Sequence, residues 1–434
     1  NREKRPVKVL TDDGWIEAGK LDCTVEQAIA TKEITMLPCP GFCDPSYLQR
    51  TIQMIRAGGW KETVHILFVS DPRFYEQLWP NVSELRKQGC KLHYWHVWDN
   101  GPAPFFNRYI PRAVDTLLSI SKSTHHGMQK VIATTQGELG ELRLAEHAFS
   151  PSGPYLPLEL GKPQIDQLRR RWFKTTFPGR FVFLWDNKNF WRKVPGHMLY
   201  AFALARKEQP NIALVMKTNA APFYNQGAGQ DLIECASRFG LELGKDLVFV
   251  DDHELTSEDM NQLYNATDAT INVAHSEGFG LSTLCALMAG RPIIANLTGG
   301  LRSQLGAPTI YEPGGEGPAR GQDHLLLADH GIGVWPNNRH IIDSPPAPFI
   351  WEEHPHADDV ARAIVAMATV PSVEGAYEAM CKAAREYALK HFSLDELLAV
   401  FEDVFANNKV RAASQITIVD PFESETSLVD MAIR

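Results

Sequence analysis

The sequence has few cysteines, and none are spaced as in a metal-binding or disulfide motif. Its seven cysteines are scattered over 434 residues without a C-x-x-C pair, and the closest two, Cys39 and Cys43, have a spacing too weak to define a metal site. This pattern argues against a disulfide framework and against a zinc ribbon. It is typical of reduced, buried thiols, so we expect a cytoplasmic protein.

The sequence also lacks long hydrophobic runs and an excess of basic residues. No apolar run is long enough to span a bilayer, and residues 1–5 lead into a short strand rather than into the core of a signal peptide. Lys and Arg number 43 against 52 Asp and Glu, which gives a formal charge of −9. We therefore expect no integral membrane contact and no general attraction to nucleic acid. The one dense basic stretch, 168–174, is interpreted as a solvated helix face; a basic patch that tracks phosphates is the alternative.

What the sequence does contain is a regular alternation of short apolar runs with helix-like segments. The predicted strands are 7–10, 64–70, 91–98, 117–121, 181–185, 212–216, 247–250, 269–273 and 292–295. Such alternation predicts an α/β fold with parallel sheets covered by helices on both faces. At this length we expect two doubly wound, Rossmann-like domains that face a central cleft.

Clusters of Pro and Gly mark the predicted domain limits. The cluster at 150–163 separates an N-terminal domain, 1–159, from a C-terminal domain, 160–395. Within the second domain, the Gly- and Pro-rich segment of about 301–350 is predicted to be an insertion. One long helix is predicted over about 377–405, so that 396–434 forms a C-terminal helix and tail returning toward the first domain.

A glycine-rich loop follows the predicted strand at 269–273. It reads HSEGFG and precedes a helix that begins at Leu281. Gly278 and Gly280 permit a ligand to approach the main chain closely, and the first amides of the helix attract an anion. Glu277 cannot bind a phosphate but can accept hydrogen bonds from sugar hydroxyls. The loop is therefore suited to a nucleotide sugar, although a plain glycine turn with a solvated glutamate is the alternative for this loop taken alone.

A second loop supplies positive charge. Lys188, Arg192 and Lys193 follow the strand predicted at 181–185 and precede a helix. A diphosphate leaving group needs such charge as the glycosidic bond breaks. If both strands belong to one sheet, these cations face the same cleft as the Glu277 loop; the alternative is a charged surface turn.

These segments together resemble retaining glycosyltransferases of the GT-B fold, glycosyltransferase family four in particular. The resemblance is carried by FVFLWDNKNFWRKVPGHMLYAFA (181–203), by the stretch LVFVDDHELTSEDMNQLYNATDATINVAHSEGFGLSTLCALMAGRPIIANLTGG (247–300), and by REYALKHFSLDELLAVFEDVF (385–405). It covers most of 160–405 well and 1–159 thinly.

The resemblance implies a role for each matching residue. Glu277 and Lys193 are expected to act in catalysis, Glu277 at the transferred sugar and Lys193 at the diphosphate. The further phosphate-binding residues are Lys188, Arg192, Gly278, Phe279, Gly280, Leu281, Ser282 and Thr283. The segment with Asp251, Asp252 and His253 is expected beside the nucleobase and ribose.

The sequence departs from the family pattern at Cys285. There the family has a second glutamate, which binds the ribose hydroxyls, whereas a thiol is a poor acceptor. Either ribose recognition has moved, or donor affinity is lower, or the donor nucleotide is unusual. Cys285 itself is interpreted as packing its helix against the sheet, or as a weak ribose contact.

The acceptor side is expected in the first domain. His96, Asp99 and Asn100 end a predicted strand among aromatic residues, and the resemblance implies that His96 lies near the transferred sugar, as a third catalytic residue. The alternative for His96 is a half-buried structural histidine. Gly41 is the one glycine where the family has a glycine-rich first loop.

The expected function is retaining transfer of a sugar from a UDP- or GDP-sugar to a hydroxyl acceptor, without a metal ion or other cofactor. A glycan or small-molecule acceptor is favoured; a hydroxylated base in DNA is disfavoured by the acidic net charge. A catalytically silent GT-B-like protein that binds a nucleotide or glycan is the main alternative. A sugar epimerase or a phosphorylase of the same fold is a third possibility, separated from a transferase by its product.

Overall fold

The computed structural model describes most of the chain. The described residues are 8–11, 14–17, 35–36, 45–59, 61–75, 78–99, 101–221, 229–250, 255–308, 323–344 and 347–407. At 8–36 the backbone forms a small sheet in which β1 (Lys8–Thr11) pairs with β2 (Gly14–Glu17) and with β3 (Thr35–Met36). None of the described helices combines the length and the hydropathy needed to cross a bilayer.

The N-terminal domain is built on a parallel four-stranded sheet. Its strands lie in chain order: β4 (Val64–Ser70), β5 (Cys90–His96), β6 (Thr116–Ser119) and β7 (Glu141–Leu144). The helices within the described part of this domain are α1 (Pro45–Ala57), α2 (Val82–Lys87), α3 (Ile110–Ala113) and α4 (Lys122–Thr134). The two central strands are buried almost throughout, as expected when helices cover both faces of a sheet.

The C-terminal domain contains a seven-stranded sheet. Its strands are β8 (Phe181–Asp186), β9 (Ile212–Lys217), β10 (Leu247–Val250), β11 (Ala269–Asn272), β12 (Ile293–Asn296), β13 (Leu325–Ala328) and β14 (Gly331–Val334). The order is β10-β9-β8-β11-β12-β14-β13, all parallel except the edge strand β13. The strand order reverses between β8 and β11, and in open α/β sheets a ligand binds at that reversal.

Helices cover both faces of this sheet. They are α5 (Lys162–Phe173), α6 (Pro195–Glu208), α7 (Leu232–Arg238), α8 (Ser257–Ala266), α9 (Leu281–Met288), α10 (Leu301–Gln304), α11 (Ala357–Thr369) and α12 (Ala376–His391). Two hydrophobic clusters result, one on each face. Phe202 of α6 and Ile364 of α11 belong to the first, and Leu284 of α9 and Ala388 of α12 to the second.

Part of the segment predicted as an insertion belongs to the sheet. Within 301–350, β13 and β14 complete its edge, and β15 (Asn338–Ser344) pairs with β16 (Ala347–His354) in a hairpin. This hairpin returns to the domain boundary, where the Trp351 amide donates to the Gly101 carbonyl at 2.7 Å. These short strands were not predicted, because the Gly and Pro residues around them interrupt the apolar pattern that indicates a strand.

The single long helix predicted over 377–405 is in fact two helices. Helix α12 ends at His391, and α13 (Leu394–Ala406) starts after Phe392 and Ser393. Phe392 is buried against Phe279, whereas Val404 of α13 packs in a cluster with Leu118 and Ala145 of the N-terminal domain. Because of this break, the apolar face of α12 packs on the C-terminal domain and the apolar face of α13 packs on the N-terminal domain. Ser393, next to Phe392, forms a parallel β-bridge with Phe149, which lies where the chain first passes from the N-terminal to the C-terminal domain.

Candidate active site

The loops that follow β8 and β11 meet at the reversal of the strand order. Lys193, from the first loop, has its Nζ in contact with a carboxylate oxygen of Glu277, 84 residues later in the chain. Because the carboxyl ends of neighbouring parallel strands share one edge of the sheet, these two loops are adjacent. The structure therefore brings together the cation and the carboxylate that the sequence had singled out.

A strained turn sets the direction of Lys193. The short turn Trp191–Lys193 is followed by Val194, whose φ of +48° lies in the left-handed region. For a β-branched residue this conformation costs on the order of 1–3 kcal/mol and persists only where the surroundings impose it. Here α6 begins at once with Pro195, so the chain turns sharply and leaves Lys193 facing the Glu277 loop.

Arg192 joins the two loops through their backbones. Its guanidinium donates to the Ser276 carbonyl at 2.9 Å, and its own carbonyl accepts from the His275 amide at 2.9 Å. The residue predicted to bind phosphate thus holds the Glu277 loop in place. Lys188, in the same loop as Arg192, is exposed.

Glu277 is negatively charged in this setting. Burial acts to raise its pKa, but Lys193 and Arg192 together outweigh burial and hold the pKa below its usual value. Only 13% of the Glu277 side chain and 12% of the Lys193 side chain are exposed, so the pair is largely removed from water.

Asp99 adds a second carboxylate from the opposite domain. It follows β5, and its Oδ2 lies 3.5 Å from the Arg192 guanidinium. Burial raises the pKa of Asp99; Arg192 opposes this effect and the charge of Glu277 adds to it. We refer to Lys193, Glu277, Arg192 and Asp99 as the interdomain charge cluster.

The glycines of the loop allow the domains to approach. A β-carbon added to Gly278 would lie 3.0 Å from Ile120 and 3.3 Å from Val97, both of the N-terminal domain. Nearby, the Ser123 hydroxyl at the start of α4 donates to the Gly299 carbonyl at 2.6 Å. A larger residue at 278 would push the N-terminal domain away from Glu277.

The start of α9 presents free amides next to this cluster. Gly280 has a φ of +96°, and the buried amide of Gln304 donates to the carbonyls of Phe279 and Gly280 at 2.9 and 2.8 Å. The first-turn amides have no partner within a helix; here they belong to Leu281, Ser282 and Thr283. Together with the helix dipole they favour an anion.

Cys285 is buried one turn further along α9. Burial raises the pKa of its thiol, and the hydroxyl groups of Tyr155 and Tyr264 lie beside it. Charge on this sulfur is disfavoured, which agrees with a packing role.

A carboxylate that the sequence analysis missed stands close to Cys285. Asp186 ends β8 and is paired in register with Lys217 at the end of β9, 3.5 Å away. The Tyr264 hydroxyl donates to Asp186 at 2.7 Å. The signal was present, because both residues are polar and follow buried apolar runs, but the predicted strands stopped one residue short of each.

The remaining predicted residues fall into two groups. His96 is fully buried at the end of β5, both of its ring nitrogens lack a hydrogen-bond partner among the described residues, and burial lowers its pKa to about 4. It is a neutral, enclosed imidazole in this structure. The others lie outside the described residues: Gly41, Asn100, Asp251, Asp252 and His253.

Comparison with known proteins bears on the fold. A glycosyltransferase from Rickettsia africae superposes with a TM-score of 0.61 at 14% identity, over 88% of this chain and 87% of that one. HepE from Anabaena, in complex with UDP-glucose, gives 0.59 at 13% identity, over 88% of both chains. Sucrose-phosphate synthase from Thermosynechococcus elongatus gives 0.56 at 14% identity, over 83% of this chain and 77% of that one.

The chain has the GT-B fold. This confirms the predicted fold class of two Rossmann-like domains around a cleft. No protein-family model matches the sequence, and no curated protein matches it. At such low identity the likeness establishes the architecture alone.

Proposed function

We propose that this protein is a retaining glycosyltransferase that moves a sugar from a nucleotide-diphosphate sugar to a hydroxyl acceptor without a metal ion. The observation that carries the proposal is the Lys193–Glu277 contact at the start of α9. It combines a cation, a carboxylate and free helix amides at the point of the sheet where α/β proteins bind ligands. A diphosphate requires the cation and the helix amides, and sugar hydroxyls require the carboxylate.

Donor binding exchanges one set of contacts for another. The diphosphate takes Lys193 and the amides of α9, and the sugar hydroxyls take Glu277. Both charged groups then exchange a protein partner for a ligand partner, so neither remains buried and unpaired. As the glycosidic bond breaks, Lys193 and the helix amides stabilise the charge that develops on the leaving phosphate.

Transfer proceeds on one face of the sugar. The acceptor oxygen attacks the anomeric carbon from the side on which the nucleotide leaves, a new C–O bond replaces the old one, and the departing phosphate takes the acceptor proton. The acceptor approaches from the N-terminal domain, where Asp99 faces Glu277. A glycan or small molecule is favoured over DNA as the acceptor, because the net charge of −9 does not attract a polyanion in general.

Asp186 takes the ribose-binding part that Cys285 does not provide. Its carboxylate ends β8 beside the thiol and accepts from Tyr264, and it retains capacity to accept from ribose hydroxyls. UDP-glucose, the ligand of HepE, is the first donor to test.

The test is a panel of UDP-, GDP-, ADP- and CMP-sugars, scored by thermal shift and by slow donor hydrolysis. We expect one donor class to stabilise the wild type, and Lys193→Met and Glu277→Gln to reduce turnover about 100-fold or more. Asp186→Asn should raise the donor KM about tenfold with a smaller change in kcat, and should abolish discrimination against the 2′-deoxyribose donor.

A matched control is the exposed pair Lys245–Glu242 of the same domain, at 2.7 Å. Lys245→Met and Glu242→Gln should leave turnover unchanged. Stabilisation by a donor without any turnover would replace the proposal with the silent binding protein. A product that is an isomer of the donor would indicate an epimerase using Asp99 and Glu277 as its acid and base.

A further inference from the structure

A second cluster of polar side chains includes His275, which lies on the same loop as Glu277 and two residues before it. His275 follows β11, and Glu352 and His354 project from one face of β16, since residues two apart on a strand point the same way. One ligand atom from each of these three residues lies within 4.8 Å of the other two. We refer to His275, Glu352 and His354 as the histidine cluster.

The three side chains do not satisfy one another. The Glu352 Oε2 is 3.8 Å from the His275 Nδ1 and 3.6 Å from the His354 Nε2, both beyond hydrogen-bonding distance. Glu352 is 4% exposed, and its Oε1, like the His354 Nε2, has no hydrogen-bond partner among the described residues. Both atoms are therefore available to a cation that enters the cluster.

The nearby arginines do not supply that cation. Arg302 and Arg339 both form ion pairs with the adjacent Glu353, at 3.0 and 2.8 Å, on the opposite face of the strand. Their charges serve that carboxylate, which leaves the negative charge of Glu352 facing two imidazoles.

We propose that His275, Glu352 and His354 bind a divalent transition-metal ion, for which zinc is the best match. Two imidazole nitrogens and one carboxylate oxygen form a donor set that zinc prefers, with a fourth position for water. Ligands of a tetrahedral zinc ion lie about 3.3 Å apart. The three ligand atoms lie within 4.8 Å of one another, so side-chain rotations that bring them closer by up to about 1.5 Å form the site.

The backbone already fixes these ligands relative to one another. The His275 carbonyl accepts from the Glu353 amide at 3.0 Å, which fastens β16 to the loop. The same hairpin reaches the N-terminal domain through Trp351 and Gly101. A bound ion therefore joins the Glu277 loop, the hairpin and the domain boundary, and acts as a structural clamp separate from the sugar transfer, which stays metal-independent.

The test uses the untagged 434-residue chain, stripped with a chelator and then given zinc alone. We expect about one zinc ion per chain by elemental analysis and a higher Tm on zinc addition. Glu352→Gln and His354→Ala should each weaken zinc binding about 100-fold in competition with a chromophoric chelator. The measurement is independent of any donor, so it stands or falls separately from the proposed function.

His356→Asn is the matched control. His356 lies two residues beyond His354, is exposed, and accepts from the Asp358 amide at the start of α11, a role that asparagine retains. This variant should bind zinc as the wild type does. Cobalt supplies a second readout, because a tetrahedral site gives visible absorption bands that surface histidines do not.

Two results would overturn the inference. One is wild-type protein that takes up no zinc after chelation. The other is zinc that is lost equally in His356→Asn and retained in Glu352→Gln, with no tetrahedral cobalt spectrum, which would mean adventitious surface binding.

Discussion

The interdomain charge cluster and the histidine cluster share one loop, through Glu277 and His275, but differ in how they stabilise a buried carboxylate. In the interdomain charge cluster, Glu277 contacts Lys193 and Asp99 lies 3.5 Å from Arg192. In the histidine cluster, Glu352 faces two imidazoles at 3.6 and 3.8 Å and forms no ion pair with a Lys or Arg among the described residues. A carboxylate that is paired inside the protein can exchange its partner for a ligand that brings its own charges. A carboxylate without such a partner is available to bind a cation from solution.

The largest effect should come from breaking the pair in the interdomain charge cluster. Lys193→Met and Glu277→Gln should each lower the free energy of unfolding by about 2 kcal/mol, because each leaves a buried charge without its partner. The double variant should lose little more than either single variant. Urea unfolding of all three measures this coupling.

The exposed Lys245–Glu242 pair provides the reference for this cycle. Removing it should change the free energy of unfolding by less than about 0.5 kcal/mol. Additive losses at Lys193 and Glu277 would contradict the view that the two charges stabilise each other.

A zinc-dependent effect is expected at Glu352. In chelated protein, Glu352→Gln should change the free energy of unfolding by less than about 0.5 kcal/mol, because the contacts with the two imidazoles offset the burial of the carboxylate. With zinc present the wild type should become the more stable of the two. Chemical unfolding with and without zinc gives both values. A variant that gains as much stability from zinc as the wild type does would show that Glu352 is not a ligand.

The smallest effect concerns pH and Asp99. Its raised folded-state pKa means that the folded protein binds this proton more tightly than the unfolded chain does. The stability contribution is therefore complete below the usual value of 3.8 and declines as pH rises through the folded pKa. Asp99→Asn removes this decline, so its free energy of unfolding relative to wild type should increase between about pH 4 and pH 7.

Glu374→Gln, at an exposed acid between α11 and α12, serves as the control for removal of one carboxylate. A relative stability of Asp99→Asn that falls over the same pH interval would mean that Arg192 outweighs burial. Arg192, Glu277, Asp71 and Lys193 are the charged groups that act on Asp99.

The sequence predicts one of these clusters and not the other, for a physical reason. Lys193 and Glu277 follow neighbouring strands of a parallel sheet, so the strand pattern alone predicts that their loops meet. His275 and Glu352 meet because the hairpin after β14 returns to the carboxyl end of β11, where the Glu353 amide donates to the His275 carbonyl. No periodicity in the sequence encodes that return. The expected roles in donor binding and transfer remain predictions.

Residues at strand ends show the same limit on a smaller scale. Asp186 and Lys217 lie one residue beyond the strands predicted from apolar runs. Hydrophobic pattern defines the buried part of a strand, but polar end residues join it only when a partner in register stabilises them. The two-helix C-terminus was missed for a related reason, since the apolar face changes domain at Phe392.

The bridge between Phe149 and Ser393 places the two crossings of the chain between domains side by side. Two adjacent crossings remove a degree of freedom that one crossing would leave, because twisting about their common direction now separates bonded segments. Bending leaves both segments bonded, so we expect the domains to open by bending rather than by twisting. A single proteolytic cut at 150–153 would divide the chain into two fragments held together by packing, including that of α13 on the N-terminal domain.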